Sequence, residues 1–259
     1  MGAVDLEPLL RYWRAQDELF DRVDPAWWGA VVSDPRYPRI QEPNYARVET
    51  REPVRLDEIE DLLLPAMLRT GSGRCHVVIF HPEDQTDLVV QASTRGERLV
   101  WDLVMEHAGA DLDGAARTHE VYEARELDDR FWTAHRASMR WFDIVEDEVL
   151  DQLQAIERDL LVPAGRRWFV APGPDGIEAL AALLVLEGVG YLDHVVTFPS
   201  ARRRGLASAL ARHAVARARA SGAERTYLLA EPAGVAVAMY EGLGFARVTQ
   251  IASWISDLG

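Results

Sequence analysis

Segments with β-type and helix-type patterns of apolar residues alternate along the second half of the chain. Apolar runs over residues 167–171 and 177–187 flank Pro172-Gly173-Pro174-Asp175-Gly176 and predict a β-hairpin. An alanine-rich stretch over 201–220 places its apolar residues on one side and predicts a helix that ends at Gly222. The remaining patterns predict strands over 121–125, 191–198, 226–230 and 245–255, and helices over 131–142, 147–161 and 235–241.

The first half has a less regular pattern. Residues 5–32 predict a helix rich in aromatic residues, and its tryptophans are expected to dock onto the second half or, alternatively, to wall a substrate pocket. The glycines of the loop over residues 69–74 are better explained by a helix C-cap and a turn than by a phosphate site. The other patterns predict a helix over 56–64 and strands over 45–49, 76–80, 88–90 and 99–105.

The most informative stretch runs from Val195 to Ala207. The residues Val195 to Phe198 favour a strand, Pro199 cannot continue an interior strand, and three arginines and Gly205 precede the predicted helix. The first turn of a helix has unpaired N–H groups and a partial positive charge, so it binds anions readily. The order strand, loop, helix therefore predicts an anion site at the start of the helix, with a preference for phosphate.

The charge distribution favours a specific anionic ligand. The chain carries a net charge of −14, yet residues 194–223 contain six arginines and no acidic residue. The alternative is a solvated helix face with arginines that serve solubility. The acidic balance argues against general nucleic-acid binding, although a weaker option is binding through the arginine-rich helix, and it is compatible with a cationic amine substrate.

Two motifs resemble the GNAT family of N-acyltransferases. Arg202-x-x-Gly205-x-Ala207 after a strand matches the family pattern, and Ala236-x-x-Met239-Tyr240-Glu241-Gly242-Leu243-Gly244-Phe245 is similar to a second family segment. The resemblance covers residues 118–255. It implies an α/β (α+β) fold, a GNAT-like mixed twisted sheet with helices on both faces. It also implies a GNAT domain over 118–259, preceded over 1–117 by a helical arm and a degenerate half of similar type.

The resemblance also implies acetyl-CoA as co-substrate. Loop amides over 203–208 would hold its pyrophosphate, and its pantetheine would pair with the strand near Val195 and Thr197. The implied cofactor-binding residues are Val195, Val196, Thr197, Arg202, Arg203, Arg204, Gly205, Leu206, Ala207, Ser208 and Tyr240. Ala233 stands where the family often has asparagine, and Gly242 stands where it often has lysine.

Acyl transfer to an amine needs a neutral amine, a donor for the oxyanion and a proton for the leaving thiolate. Asp193 and His194 are both candidate bases on the central strand, where alternation places them on opposite faces unless a bulge changes the register. The resemblance implies that Tyr240 points toward the thioester sulfur, which makes it the candidate acid. A structural role stays open for all three residues.

Other chemistries lack their motifs. The seven histidines are not paired with cysteines, so no metal site is expected, and no Gly-x-Ser-x-Gly elbow, P-loop or dinucleotide-binding Gly-x-Gly-x-x-Gly is present. Cys75 is the single cysteine and is expected in the core, which excludes an intrachain disulfide and favours a reducing compartment. We see no signal peptide and no membrane span, so we expect a cytoplasmic location.

The sequence thus predicts an enzyme that transfers an acetyl or other acyl group from acetyl-CoA to a primary amine of a small molecule or peptide. The alternative is a non-catalytic protein of the same fold that binds or senses acyl-CoA. The expected partner is the amine acceptor, with no nucleic acid and no membrane, and a homodimer stays an open option.

Overall fold

The computed structural model describes residues 4–108 and 120–258, which divide into two compact units. Unit 1 comprises Met1–Val104 and Val248–Gly259, and unit 2 comprises Met105–Arg247. The last strand of the chain belongs for the most part to the first unit, and the expected domain boundary at residue 117 stays a prediction. None of the helices in the described part of the chain has the length and apolar character needed to cross a bilayer.

The elements of unit 1 are α1 (Glu7–Asp17), β1 (Arg22–Ala26), β2 (Gly29–Ser33), β3 (Tyr45–Val48), α2 (Leu56–Thr70), β4 (Arg74–Ile79), α3 (Thr86–Thr94), β5 (Val100–His107), which ends in unit 2, and β11 (Ala246–Asp257), which begins in unit 2. Its strands have the order β1-β2-β3-β4-β11-β5. Strands β3 and β4 are parallel, and the pairs β1–β2, β2–β3 and β4–β11 are antiparallel. A core of buried aliphatic and aromatic side chains lies between this sheet and helix α2.

Two elements of unit 1 differ from the sequence prediction. The predicted helix over 5–32 ends at Asp17, and the following residues form the β1–β2 hairpin. Gly29 permits this hairpin, since a Cβ there would lie 1.8 Å from the carbonyl oxygen of Arg47. The predicted strand over 88–90 is instead part of helix α3, which Leu88 and Ala92 anchor in the core.

The tryptophans and the glycine-rich loop of unit 1 are local structural features. Trp28 is buried in the core of its own unit, the Trp13 ring lies edge-on to the Phe80 ring at 5.0 Å, and Trp27 is 55% exposed. Gly71 adopts a left-handed conformation and its N–H donates to the Leu68 carbonyl, which confirms the predicted helix C-cap. Cys75 is buried, and burial raises the pKa of its thiol to about 11, as expected for a core cysteine.

The elements of unit 2 are β6 (Tyr122–Glu123), α4 (Asp129–Met139), α5 (Asp147–Ile156), β7 (Arg167–Gly173), β8 (Gly176–Leu186), β9 (Val189–Thr197), α6 (Leu206–Ala220), β10 (Arg225–Ala230) and α7 (Val235–Gly242). Its strands have the order β10-β9-β8-β7-β6. The predicted hairpin β7–β8 is confirmed, although its strands extend to a two-residue turn at Pro174-Asp175. Helix α6 packs on β7, β8 and β9, and α4 packs on β8.

Candidate active site

A β-bulge shifts the register of β9, the central strand of unit 2, against β8. Ala182 pairs with Asp193 and Leu180 pairs with Val196, so the single residue Ala181 faces two residues of β9. One of these two, His194, has a φ of 51°, in the left-handed region that non-glycine residues rarely adopt. The bulge breaks the simple alternation of faces that the sequence predicted for Asp193 and His194.

The parallel pair β9–β10 separates beside this bulge. Its ladder comprises three residue pairs and ends at Tyr227 and Tyr191, although both strands continue. In the described residues, the edge of β9 from Leu192 to Thr197 therefore has no ladder partner on the β10 side. An extended ligand carrying amide groups can pair with such an edge in place of a strand.

A tight loop joins β9 to helix α6. Pro199–Ala201 form a single 3-10 turn, Arg203 (φ 63°) and Gly205 (φ 83°) are left-handed, and α6 begins at Leu206 rather than at residue 201 as predicted. The first intrahelical bond of α6 runs from the Ala209 N–H to the Gly205 carbonyl, and no side chain caps the helix. The amides of residues 206–208 are thus available to an anionic ligand.

The three arginines of this loop have different roles. Arg202 donates from Nε to the Thr197 carbonyl at 3.1 Å, and its guanidinium lies 4.7 Å from the Trp141 ring centre. Arg204 forms an ion pair with Glu178 at 3.0 Å. Within the described part of the chain, Arg203 has no partner, which leaves its guanidinium free for a phosphate.

His194 is held by the side chain of Ser138 on helix α4. The Ser138 hydroxyl lies 2.6 Å from the His135 carbonyl oxygen and 2.7 Å from His194 Nε2. Because the carbonyl can only accept, the single hydroxyl proton must be donated to it, and Ser138 must accept a proton from Nε2. The proton of neutral His194 is therefore on Nε2, and its Nδ1 carries the lone pair that a base needs.

Aromatic rings surround the His194 imidazole. The fully buried His135 ring stacks on it at 5.3 Å and 14°, and the rings of Phe142 and Trp168 each lie 5.2 Å away. Burial lowers the pKa of His194 to about 4, an effect larger than the rise caused by the Asp193 charge. His194 is therefore neutral at physiological pH and competent to accept a proton.

Asp193 belongs to a chain of charged groups. Its carboxylate accepts from the His194 backbone N–H at 2.7 Å and from Arg166 at 2.7 Å, and Arg166 pairs with Glu157 at 3.3 Å. Glu157 in turn accepts from the Trp168 indole N–H at 3.1 Å. Desolvation raises the pKa of Asp193, but the Arg166 charge, the His194 charge present below about pH 4 and the hydrogen bonds from Arg166 and the His194 backbone outweigh it and leave that pKa below its ordinary value. Asp193 thus fixes the bulge that carries His194.

Tyr240 lies on helix α7 and is 7% exposed, with its ring edge-on to Phe245 at 5.6 Å. Burial, together with the charge of Asp193, raises the pKa of its phenol well above the ordinary value. A phenol of this kind keeps its proton at neutral pH and can donate a hydrogen bond to a negative charge that forms beside it.

Comparison with known families agrees with this geometry. A sequence model of the acetyltransferase (GNAT) family matches residues 118–245, which span the bulged strand, the arginine loop and Tyr240. The chain contains a GNAT acetyltransferase domain. No curated protein matches the chain in a sequence search.

The fold of this GNAT protein is shared with solved structures of low sequence identity. A conserved protein of unknown function from Staphylococcus epidermidis is 10% identical with a TM-score of 0.72, covering 92% of this chain and 94% of its own. A GCN5-related N-acetyltransferase from Kribbella flavida is 16% identical with a TM-score of 0.64, and the match covers 96% of this chain and 95% of that protein. A tandem GNAT protein from the clavulanic acid biosynthesis pathway is 11% identical with a TM-score of 0.55, and the match covers 83% of this chain and 76% of that protein.

Several residues of the GNAT site carried no sequence signal of their own. His135 and Ser138 are three residues apart on one face of α4, within an aromatic stripe that is typical of a core helix. Arg166 and Glu157 belong to no motif. Ala233, where the family often has asparagine, is exposed in the loop between β10 and α7.

Among the described residues, one group of side chains offers metal-ligand atoms close together. His81, Glu83 and Asp84 of unit 1 place such atoms within 4.8 Å of one another. Arg51 forms ion pairs with Glu83 at 3.6 Å and with Asp84 at 2.7 Å, and so occupies the carboxylates. The absence of a metal requirement stays a prediction.

Proposed function

We propose that the GNAT domain transfers an acetyl group from acetyl-CoA to a primary amine, in the cytoplasm, with His194 as base and Tyr240 as acid. The observation that carries the proposal is the free Nδ1 lone pair of His194, next to the separated edge of β9. The residues fit acetyl-CoA, since uncapped helix amides and the free Arg203 suit a pyrophosphate and the open strand edge suits pantetheine amides.

In the proposed reaction, His194 and Tyr240 act one after the other. The amine nitrogen attacks the thioester carbonyl, a C–N bond forms, and His194 Nδ1 accepts the proton that the nitrogen loses. The C–S bond then breaks, and the Tyr240 phenol gives its proton to the leaving thiolate. His194 releases the proton it gained to solvent, and the Tyr240 phenolate takes a proton back from solvent. Asp193 supports the base, because its carboxylate accepts from the His194 backbone N–H, whereas its charge raises the pKa of the Tyr240 phenol and so opposes proton donation.

A thiol-release assay tests this function. Purified protein is incubated with acetyl-CoA, first alone and then with a panel of amines, and CoA thiol and acetylated amine are measured. We expect amine-dependent thiol release. If acetyl-CoA binds in calorimetry but no amine supports turnover, the chain is the non-catalytic acyl-CoA-binding protein that is the alternative.

We expect Gly205→Val to weaken acetyl-CoA binding by roughly tenfold or more. A β-branched residue in the left-handed conformation costs about 1–3 kcal/mol. A backbone shift that relieves this strain also moves the neighbouring amides of residues 206–208, which are proposed to bind the pyrophosphate. Arg203→Ala should cost about 1–2 kcal/mol of binding, as one charge-assisted contact among several. Isothermal titration calorimetry measures both.

The matched control for Gly205 is Gly222→Val at the other end of the same helix. Gly222 is also left-handed, with a φ of 87°, and a Cβ there meets no atom within 4 Å. The substitution introduces similar backbone strain away from the anion site, so acetyl-CoA affinity should persist. If Gly205→Val binds acetyl-CoA as tightly as the unchanged protein, the pyrophosphate does not bind at this loop.

We expect Tyr240→Phe to lower kcat on the order of 10²-fold with little change in acetyl-CoA affinity, because it removes an acid used only in the transition state. The control is Tyr227→Phe, a buried tyrosine of β10. Turnover and affinity are measured on the same preparation. If Tyr240→Phe keeps more than half of its turnover, the phenol is a packing group.

A further inference from the structure

An exposed apolar surface follows helix α4 directly beside the candidate base. Trp141 is 47% exposed, Phe142 is 51% exposed and Val145 is 69% exposed, although all three are large apolar residues. They lie on and just after the 3-10 turn Arg140–Phe142, which is followed by Asp143 with a φ of 59°. Several exposed large apolar side chains so close together are typical of a binding surface rather than of a solvated turn. We call these three residues the aromatic rim.

The rim is continuous with the catalytic groups. The Phe142 ring lies 5.2 Å from the His194 ring at an interplanar angle of 52°, and the Trp141 ring lies 4.7 Å from the Arg202 guanidinium. It therefore connects the base to the loop proposed to hold the pyrophosphate. A molecule that delivers a nitrogen to His194 along this side contacts the exposed part of Phe142.

Acidic groups accompany the rim. Asp143 adjoins Phe142, and Glu148 follows three residues after Val145. Neither carboxylate has an ion-pair partner among the described residues, whereas the neighbouring Asp147 and Asp151 pair with Arg136. Because Arg140 precedes Trp141 and the Arg202 guanidinium lies over the Trp141 ring, the rim has charges of both signs. Its flat apolar side chains suit an occupant that carries a flat apolar group.

We propose that the acceptor is an amine carried on an aromatic group, whose ring contacts Phe142 and Trp141 while its nitrogen reaches His194. This inference rests on the proposed function and adds the substrate class. A polyamine or an amino sugar carries no aromatic ring that could pack on the rings of the rim. The same chemistry is offered by a free arylalkylamine and by a peptide with an N-terminal phenylalanine.

The electrostatics of the site agree with such an acceptor. A weakly basic His194 does not deprotonate an alkylammonium ion efficiently, so the amine must reach the site already neutral. Apolar surroundings lower the pKa of an amine and favour its neutral form. The rim therefore both binds the ring and helps to prepare the nitrogen.

The test compares 2-phenylethylamine, phenylalanyl-alanine and spermidine as acceptors with acetyl-CoA. We expect the aromatic acceptors to exceed spermidine in kcat/KM by at least about tenfold, as expected for a ring buried against two aromatic side chains. The ratio between the two aromatic acceptors identifies the source of the amine. A preference for spermidine overturns the inference while the acetyltransferase function stands.

The variant Phe142→Ala tests the contact itself. It should raise KM for the preferred aromatic acceptor about tenfold. Phe142→Leu, which keeps apolar bulk, should lie between Phe142→Ala and the unchanged protein. The control Tyr122→Ala removes an exposed aromatic of β6, three strands from β9, and should leave KM unchanged.

Direct calorimetry separates this inference from the proposed function. Binding of 2-phenylethylamine in the presence of CoA should weaken about tenfold in Phe142→Ala even if the protein does not turn over. Equal binding to the Phe142→Ala variant and the unchanged protein would overturn the aromatic rim as an acceptor site. Binding that depends on Phe142 without any acetylation would support the rim and contradict the enzyme function.

Discussion

The substitution His194→Gln is expected to lower kcat on the order of 10³-fold while acetyl-CoA affinity changes little. Glutamine keeps an N–H that can donate to Ser138, but its amide has no nitrogen lone pair that accepts a proton. The loss therefore reports the base and not the hydrogen bond that positions it. Turnover is measured with the amine that the panel identifies, and affinity by calorimetry.

The matched control is His213→Gln, at an exposed histidine on α6 whose ring lies 5.3 Å from Phe169. It should retain full turnover. Ser138→Ala should lower kcat roughly tenfold, because it removes the acceptor for the Nε2 proton and no longer holds His194 in one tautomer. If His194→Gln keeps more than half of its kcat, another group accepts the proton.

The pH profile provides a second readout of the same base. His194 acts when neutral, and its pKa of about 4 means that it loses this form only as the pH falls through about 4. We therefore expect no His194-dependent decline in kcat/KM between pH 8 and pH 5, and any slope there belongs to protonation of the acceptor. An acid limb near pH 6.5 that disappears in His194→Gln would contradict the lowered pKa.

The sequence predicted best those elements that are bounded by local signals. Helix α6, the β7–β8 hairpin, β10 and α7 each have their own periodicity and a glycine or proline at an end. The β1–β2 hairpin was missed because Gly29 is required by a distant carbonyl, that of Arg47, which no local pattern reveals. Helix α3 was missed because its short apolar run, Leu88-Val89-Val90, fits a strand equally well.

The same distinction applies to the candidate site. The arginine loop and Tyr240 could be found because their motifs are contiguous in the sequence. The orientation of His194 could not be predicted from the sequence, because it depends on a bulge whose position is set by pairing with β8. Ser138 and Arg166 reach β9 from 56 and 27 residues away, and such contacts are made only by the folded chain.

A second large effect is expected on stability from Arg166→Met. Arg166 and Glu157 are each 7% exposed and form an ion pair, and Arg166 also holds Asp193. Removing one partner leaves a buried charge without compensation, which typically costs about 3–5 kcal/mol of unfolding free energy. The measurement is urea denaturation followed by circular dichroism, with Arg247→Met as control, since its ion pair with Glu241 is exposed and should contribute about 0–1 kcal/mol.

The double variant Arg166→Met/Glu157→Gln distinguishes an uncompensated charge from lost packing. Glutamine at 157 can still accept from the Trp168 indole N–H but carries no charge. If the buried carboxylate causes the loss, the double variant should recover a large part of the stability that Arg166→Met loses. If the double variant is no more stable than the single variant, Arg166 acts through its packing on Trp168, whose ring centre lies 5.5 Å from the guanidinium. Arg166→Lys keeps the charge but not the planar fork, so its free energy of unfolding should lie between those of Arg166→Met and the unchanged protein. This variant allows the ion pair to be tested even if Arg166→Met does not fold.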